Sequence, residues 1–266
     1  MVDAPLTERT ILYLSYDGMT DPLGASQVLP YLTGLSRRGH RIVLVSFEKP
    51  DCSAAAIASV RETCAEAGIE WHPQRYHGQP PVLSTIRDVL AMRTVATRLH
   101  ARTPFDIVHC RSYLTALVGV AMKRKFGTRF LFDMRGFWAD EKYESGAWPA
   151  RNPLFRAVYR YFKRRESDFF RSADHIVSLT NSARDEIETW PDASVAFDRI
   201  SVIPCCVDFD HFAAFSPERR KLARAALGID FDRPVLGYLG SLGGSYMLPE
   251  MLCLFKIYRG RGRRRT

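Results

Sequence analysis

Three observations predict an α/β fold with a doubly wound parallel sheet. Six or seven short apolar runs alternate with helical segments before residue 207. The first run, Ile11-Leu12-Tyr13-Leu14-Ser15-Tyr16, leads through turn chemistry at Asp17-Gly18 and Asp21-Pro22-Leu23-Gly24 into a helix, and then into a second apolar run. No internal repeat breaks the alternation. The longest uncharged apolar stretch, Tyr113–Met122, is too short to cross a bilayer.

In chain order, Val28, Leu29, Leu32 and Leu35 recur at helical spacing within Ala25–Arg38, and Gly39 ends that helix. Pro30 falls inside it and is expected to kink it or limit its first turns. Arg41–Phe47 reads as a strand and Glu48-Lys49-Pro50 as a break. Ser53–Ala67 is helical and Ile69–His72 a short strand. Val82–Ala101 carries Ile86, Val89, Leu90, Met92, Val95 and Leu99 and reads as an amphipathic helix. Strand Asp106–Cys110, helix Tyr113–Phe126 and strand Arg129–Met134 follow. A long aromatic loop, Phe137–Pro153, precedes the basic helix Leu154–Arg171. His175–Thr180 is a strand, with Asn181 or Ser182 capping helix Ala183–Thr189, and Arg199–Pro204 is the last strand of the series.

The predicted organisation is a Rossmann-like domain over 1–207, a linker with helix Pro217–Leu227 over 208–233, and an incomplete second domain over 234–266. Pro234–Ser241 reads as a fresh strand with a glycine loop, Gly240–Gly244, and the chain after Tyr258 as a disordered basic tail.

The composition, 46% hydrophobic and 25% charged, is that of an ordinary globular protein. Met1–Thr10 does not read as a signal peptide, because Asp3, Glu8 and Arg9 precede any apolar run. The six cysteines form no Cys-x-x-Cys pair and no zinc spacing, and are expected to be reduced thiols in a cytoplasmic protein. Cys205-Cys206 reads as a strand end or as a redox pair. The net charge is +9, but six basic residues and no acid lie in residues 256–266; without them it falls to +3. The body is therefore only mildly basic, a weak case for nucleic acid.

The loop after the first strand lies at the carboxyl edge of the sheet, where ligands of open α/β sheets bind, and the helix that follows offers bare N–H groups to an anion. It is either such a ligand loop or a tight turn. It is not a dinucleotide fingerprint, because Gly18 and Gly24 are six apart with Pro22 between. It is not a P-loop, because no Gly-Lys-Ser/Thr follows.

Seven motifs in order resemble the amino-terminal half of family 4 glycosyltransferases. They are Asp17-Gly18…Gly24, Arg38-Gly39-His40, Asp106-Ile107-Val108-His109, Asp133-Met134-Arg135-Gly136, Ser178-Leu179-Thr180, Val202-Ile203-Pro204 with Val207-Asp208, and Tyr238-Leu239-Gly240-Ser241. The resemblance implies a GT-B fold of two Rossmann-like domains. The first binds the acceptor and the second a nucleotide-sugar, the co-substrate; transfer retains configuration and uses no metal and no further cofactor. On this basis Asp17, Gly18, His109 and Arg111 are the expected catalytic positions. Asp133, Arg135, Asp140 and Glu141 are the expected acceptor-binding residues, and Gly24, Gly240 and Ser241 the donor-binding ones. Relatives often carry His-x-His where this chain has His109-Cys110-Arg111. The Glu-x7-Glu motif and the basic residue of the donor domain are not in the sequence, so it is expected to be a truncated or frame-shifted reading of a longer gene, impaired alone.

Each assignment has a plainer counterpart. Asp133 and Arg135 form an ion pair at a strand end, His109 is a core histidine, and Asp140 and Glu141 are solvated loop charges. The expected partners are a sugar or lipid-linked acceptor and an anionic membrane surface on the cytosolic side. The second partner rests on helix 154–171 and Arg151 just before it, where seven basic residues and several aromatics face only Glu166 and Asp168. The plainer reading makes those arginines a solvated face. An alternative of another class is a non-catalytic module whose Arg-rich tail binds nucleic acid.

Overall fold

A computed structural model describes residues 7–190, 198–207, 215–240 and 247–262, with side chains as far as 259 in the last segment. The chain forms two compact units, Met1–Cys206 and Val207–Thr266.

The first unit is a seven-stranded parallel sheet in the order β3-β2-β1-β4-β5-β6-β7. Its strands are β1 (Thr10–Ser15), β2 (Arg41–Glu48), β3 (Glu70–Arg75), β4 (Ile107–Arg111), β5 (Arg129–Asp133), β6 (His175–Ser178) and β7 (Ile200–Val202). Side chains of β1 and β2 alternate between two cores, as a period of two requires. Leu12, Leu14, Val43, Val45 and Phe47 join one core with α3 (Leu83–Arg102), α4 (Ser112–Phe126) and α6 (Pro153–Ser172). Ile11, Tyr13, Ile42 and Leu44 join the other with α1 (Leu29–Arg37) and α2 (Ala54–Glu66). Because both faces are covered, β1 reads in sequence as an unbroken apolar run. The strand order reverses between β1 and β4, which makes their carboxyl ends the switch point where a crevice forms.

Several details differ from the sequence expectations. Gly24–Val28 is wound as a π-helical turn, and α1 begins only at Leu29. Pro30 then falls at the second residue of α1, directly after that turn and with helical backbone before it, where the helical ladder is already distorted. Thr180, not Asn181 or Ser182, caps α7 (Asn181–Glu188); its Oγ1 accepts from the Ala183 N–H at 3.0 Å. The stretch 137–153 contains a short helix, α5 (Trp138–Glu144), whose Trp138 stacks edge-on to Phe162 of α6 at 5.0 Å. Packing of its aromatics, rather than periodicity, orders it.

In the second unit, α8 (Pro217–Ala226) is capped by the Ser216 hydroxyl. Residues 234–240 form no strand. A strand exists only by pairing, and the described residues of this unit contain no other strand. Val235, Leu236 and Leu239 are exposed instead. The expected disordered end is helical as far as Gly262 in α9 (Leu248–Gly262), a segment rich in Leu, Met, Lys and Arg, all strong helix formers. Arg263, Arg264 and Arg265 lie outside the described residues.

Two predictions follow from the packing of the first unit. Gly119 on α4 faces β4 and β5, and a Cβ there would lie 2.5 Å from the Phe130 ring and 2.6 Å from Cys110 Sγ. Gly119→Ala gains helix propensity of about 1 kcal/mol. It forces overpacking against a buried ring, and the net change is a loss of about 1–2 kcal/mol, read as a lower urea midpoint. Asp174 accepts from Lys123 Nζ at 2.7 Å and from the Phe130 N–H at 2.8 Å. Burial pushes this carboxyl up, but Lys123 and the Phe130 N–H overcome it and hold it below its ordinary value. A depressed carboxyl contributes stability above its unfolded pKa, and that stability is lost as pH falls through the folded value. Asp174→Asn therefore flattens stability against pH below about pH 4, as urea midpoints across that range will show.

Candidate active-site crevice

The parallel register sets Ser15 beside Arg111 and Arg111 beside Asp133, one row at the carboxyl edge of the sheet. Around it gather most of the expected site residues of the first unit. The Arg111 guanidinium is buried; its Nε donates to Asp17 Oδ2 at 3.2 Å, and its Nη1 lies 3.9 Å from Asp133 Oδ2. Arg135 Nη1 is 3.9 Å from Asp133 Oδ1, and Arg135 Nη2 donates to Gln27 Oε1 at 2.7 Å and to Cys205 Sγ at 3.4 Å. His109 stacks on Tyr13 with ring centroids 4.4 Å apart, and its Nε2 is 3.6 Å from Asp133 Oδ2. Burial, with the Asp133 carboxylate adding to it, pushes the Tyr13 hydroxyl far up, so it stays protonated.

The backbone here is strained. Ser112 and Arg135, which follow the ends of β4 and β5, sit in the left-handed region at φ 69° and 63°. Non-glycine residues hold that conformation at a cost of order 1–3 kcal/mol, and such positions cluster where side chains must be aimed. Two buried polar atoms, His109 Nε2 and Asp133 Oδ1, make no hydrogen bond within the protein.

The loop after β1 is organised by a residue the sequence reading passed over. Glu48, at the end of β2 and 5% exposed, accepts from the Met19 N–H at 2.9 Å, the Thr20 N–H at 3.0 Å, Thr20 Oγ1 at 2.7 Å and Ser46 Oγ at 2.6 Å. These N–H groups belong to the loop just ahead of the helix start, and an internal carboxylate holds them. Both glycines are explained by close approach. A Cβ on Gly18 would lie 2.8 Å from Glu48 Oε2, and one on Gly24 would meet the Gly18 carbonyl oxygen and sit 2.6 Å from Met19 Cα.

Asp140 and Glu141 stand apart from this cluster. Asp140 accepts from Tyr159 Oη at 2.8 Å and Lys163 Nζ at 2.9 Å, tying α5 to α6. The Glu141 carboxylate lies against Gly136, at φ +154°. Gly240 belongs to the second unit and is exposed; Ser241 lies outside the described residues. Among the described residues no group of three or more His, Cys, Asp or Glu side chains could hold a metal ion.

Besides Glu48, sequence reading missed Asp88 and Gln27. Asp88 is 1% exposed on α3 and accepts from Tyr16 Oη at 3.0 Å, the His77 N–H at 3.0 Å and His77 Nδ1 at 2.6 Å. One signal was available for both acids: each carboxylate interrupts an apolar pattern, Glu48 closing an apolar strand and Asp88 standing four residues before Met92 on the buried stripe.

A parallel sheet with a charged crevice at its switch point is the ligand-binding half of a doubly wound α/β protein. The chain belongs to glycosyltransferase family 4: the profile of Glycosyltransferase Family 4 matches residues 25–211. Among solved structures it resembles a sucrose-phosphate synthase from Thermosynechococcus elongatus, at 15% identity and a TM-score of 0.59, over 85% of this chain and 54% of that one. It also resembles a glycosyltransferase from Rickettsia africae ESF-5, at 14% identity and a TM-score of 0.51, over 94% of this chain and 58% of that one. The chain thus spans little more than half the length of either. No curated protein sequence matches it.

Removing the Glu48 carboxylate tests the loop. Glu48→Ala strands two buried N–H groups and two hydroxyls, at about 1–3 kcal/mol for each one left without a partner. The expected result is faster amide exchange at Met19 and Thr20, together with a lower urea midpoint.

Proposed function

We propose that this chain is the acceptor-binding half of a retaining glycosyltransferase that takes its sugar from a nucleotide-sugar. The observation that carries this reading is the charged constellation of Arg111, Arg135, Asp17 and Asp133 at the switch point. Arg111, Arg135 and Asp17 line the same cavity. Two fixed guanidinium groups hold an anionic acceptor or the phosphate of a leaving nucleotide, with the strong geometric preference of arginine for oxyanions. They supply positive charge where negative charge develops, the largest single contribution in such transfers, without a metal ion or a further cofactor. Asp17, 47% exposed at its side chain, accepts from an acceptor hydroxyl while Arg111 fixes its orientation. His109 and Asp133 stand behind the arginines and keep them aimed. Gly240 and Ser241 begin the part that meets the donor.

A second feature supports work at an anionic membrane surface on the cytosolic side, with a lipid-linked acceptor. No helix among the described residues is long and apolar enough to cross a membrane, so attachment would be peripheral. Of the basic residues on α6, Lys163 is tied to Asp140 and Glu166, and Arg165 to Asp168. Arg156, Arg160 and Arg164 recur every fourth residue and are all exposed, a basic row beside exposed Leu154 and Tyr161.

Turnover of nucleotide-sugars by this chain, alone and fused to a donor-binding domain, tests the main reading. Transfer is expected only from the fusion, with Arg135→Ala lowering kcat/KM by roughly 10- to 100-fold, about 1.4–2.7 kcal/mol. Robust turnover by the chain alone would remove the acceptor-half assignment. For the membrane, changing Arg156, Arg160 and Arg164 to Glu should cost about 1 kcal/mol for each positive charge removed and abolish co-sedimentation with anionic vesicles at low salt.

A further inference from the structure

The helical layer on one face of the sheet does not close over. α4 lies between α3 and α6, and a groove runs along it, part of a cavity of about 1570 Å³. Its floor is a stripe of α4 at helical spacing, buried Leu114 and Val118 with half-buried Leu117 and Ala121. One wall is a second stripe of α3. The stripe that packs inward is Ser84, Asp88, Met92, Ala96 and Leu99, so Ile86 and Leu90, at 50% and 55% exposure, are not core residues. They face the groove. The opposite wall is α6 with α5, through Val158, Tyr161, Trp138 and Trp148. Large aliphatic and aromatic side chains left open along three neighbouring elements mark a binding surface rather than scattered exposure.

Charge and continuity define the occupant. The cavity that holds this trough also reaches Asp17, Arg111 and Arg135 at the reaction edge. Its basic lining residues outnumber the acidic ones: Arg93, Arg124, Lys125 and Arg165 stand along the helices, where Asp168 is the only acid. α4 has 15 residues, and at about 1.5 Å each the trough is roughly 22 Å long. We infer that the groove between α3, α4 and α6 seats the hydrocarbon chain of an alkyl- or polyprenyl-phosphate acceptor, with its phosphate at the Arg111–Arg135 end. This rests on the acceptor-half reading and names the class of acceptor. The chain lies along the apolar trough, and the guanidinium groups meet the oxyanion at its head.

The experiment measures binding and not transfer, so it fails or succeeds independently of the glycosyltransferase reading. The full chain is titrated with dodecyl phosphate below its micelle threshold, following the fluorescence of Trp138 and Trp148 and, in parallel, heat. Saturable one-to-one binding is expected. Dodecyl maltoside, which has the chain without the charge, and inorganic phosphate, which has the charge without the chain, should each bind at least tenfold more weakly. Ile86→Glu with Leu90→Glu should weaken dodecyl phosphate at least tenfold. Both positions are half exposed, so an unchanged far-UV spectrum and melting curve are expected and separate loss of binding from loss of fold. If the double variant proves less stable, Ile86→Ser with Leu90→Ser replaces it, with the same expected direction. Arg135→Ala should weaken dodecyl phosphate and leave dodecyl maltoside unchanged. Absence of saturable binding, or binding that Ile86 and Leu90 do not affect, overturns the proposal. So does equal affinity for dodecyl maltoside. Binding to anionic vesicles but never to the monomeric amphiphile also overturns it, and reassigns the face to the membrane surface.

Discussion

The Glu48 carboxylate is buried at the end of an apolar strand, and a charge there is tolerable only because four donors converge on it. Three of those donors come from the loop that must pass over the switch point, and the fourth, Ser46 Oγ, from β2 itself. The loop is thereby tied to β2, its glycines are forced into van der Waals contact with the same carboxylate and with each other, and the π-helical turn begins where that contact ends. Asp17 leaves the sheet between β1 and this anchor, which fixes the angle at which its side chain meets Arg111. Gln27, on the π-helical turn, then reaches Arg135. One buried acid on β2 thus sets the positions of groups contributed by β1, β4 and β5.

A division of labour follows among the charged residues. Some ionic groups hold elements together: Asp140 with Lys163, Asp174 with Lys123, Asp88 with His77. Others face the cavity, among them Asp17, Arg111 and Arg135. α6 shows how far a count of charges can mislead, because three of its basic residues, Lys163, Arg165 and Arg171, are paired with acids, while the exposed row is Arg156, Arg160 and Arg164.

Most of the sheet was legible because parallel strands buried on both faces must be apolar throughout, and Ile11–Leu14 and Ile42–Val45 obey that rule without exception. The site was legible in part. Register brings Ser15, Arg111 and Asp133 together only once the strand order is known, and alternation of strands and helices does not by itself give that order. Glu48 showed only as an acid closing an apolar strand; its role was not legible, since its loop donors, Met19 and Thr20, lie 29 and 28 residues away. Nor was the groove: on α3 the apolar residues form two stripes, and periodicity cannot say which one a neighbouring helix will cover. Short helix α5 escaped for a related reason, as its order comes from aromatic rings on α6. In residues 234–240 the apolar pattern of a strand was present without a partner strand among the described residues of that unit.

The place of β1 in the strand order has a consequence for synthesis. It leaves the ribosome ahead of the other six strands of this sheet, yet it lies inside the sheet, and Ser15 pairs with Arg111. The clasp at the other end of that pairing, from the Thr10 N–H to Asp106, joins residues 96 apart. At about 5–20 residues per second, translation needs roughly 5–20 s to deliver the partner strand. During that interval β1 and β2 present an apolar ribbon with one edge unpaired, the kind of surface that chaperones recognise and that aggregates when they are scarce. The carboxyl edge that carries the crevice is therefore assembled late, by a strand that has waited for its neighbour.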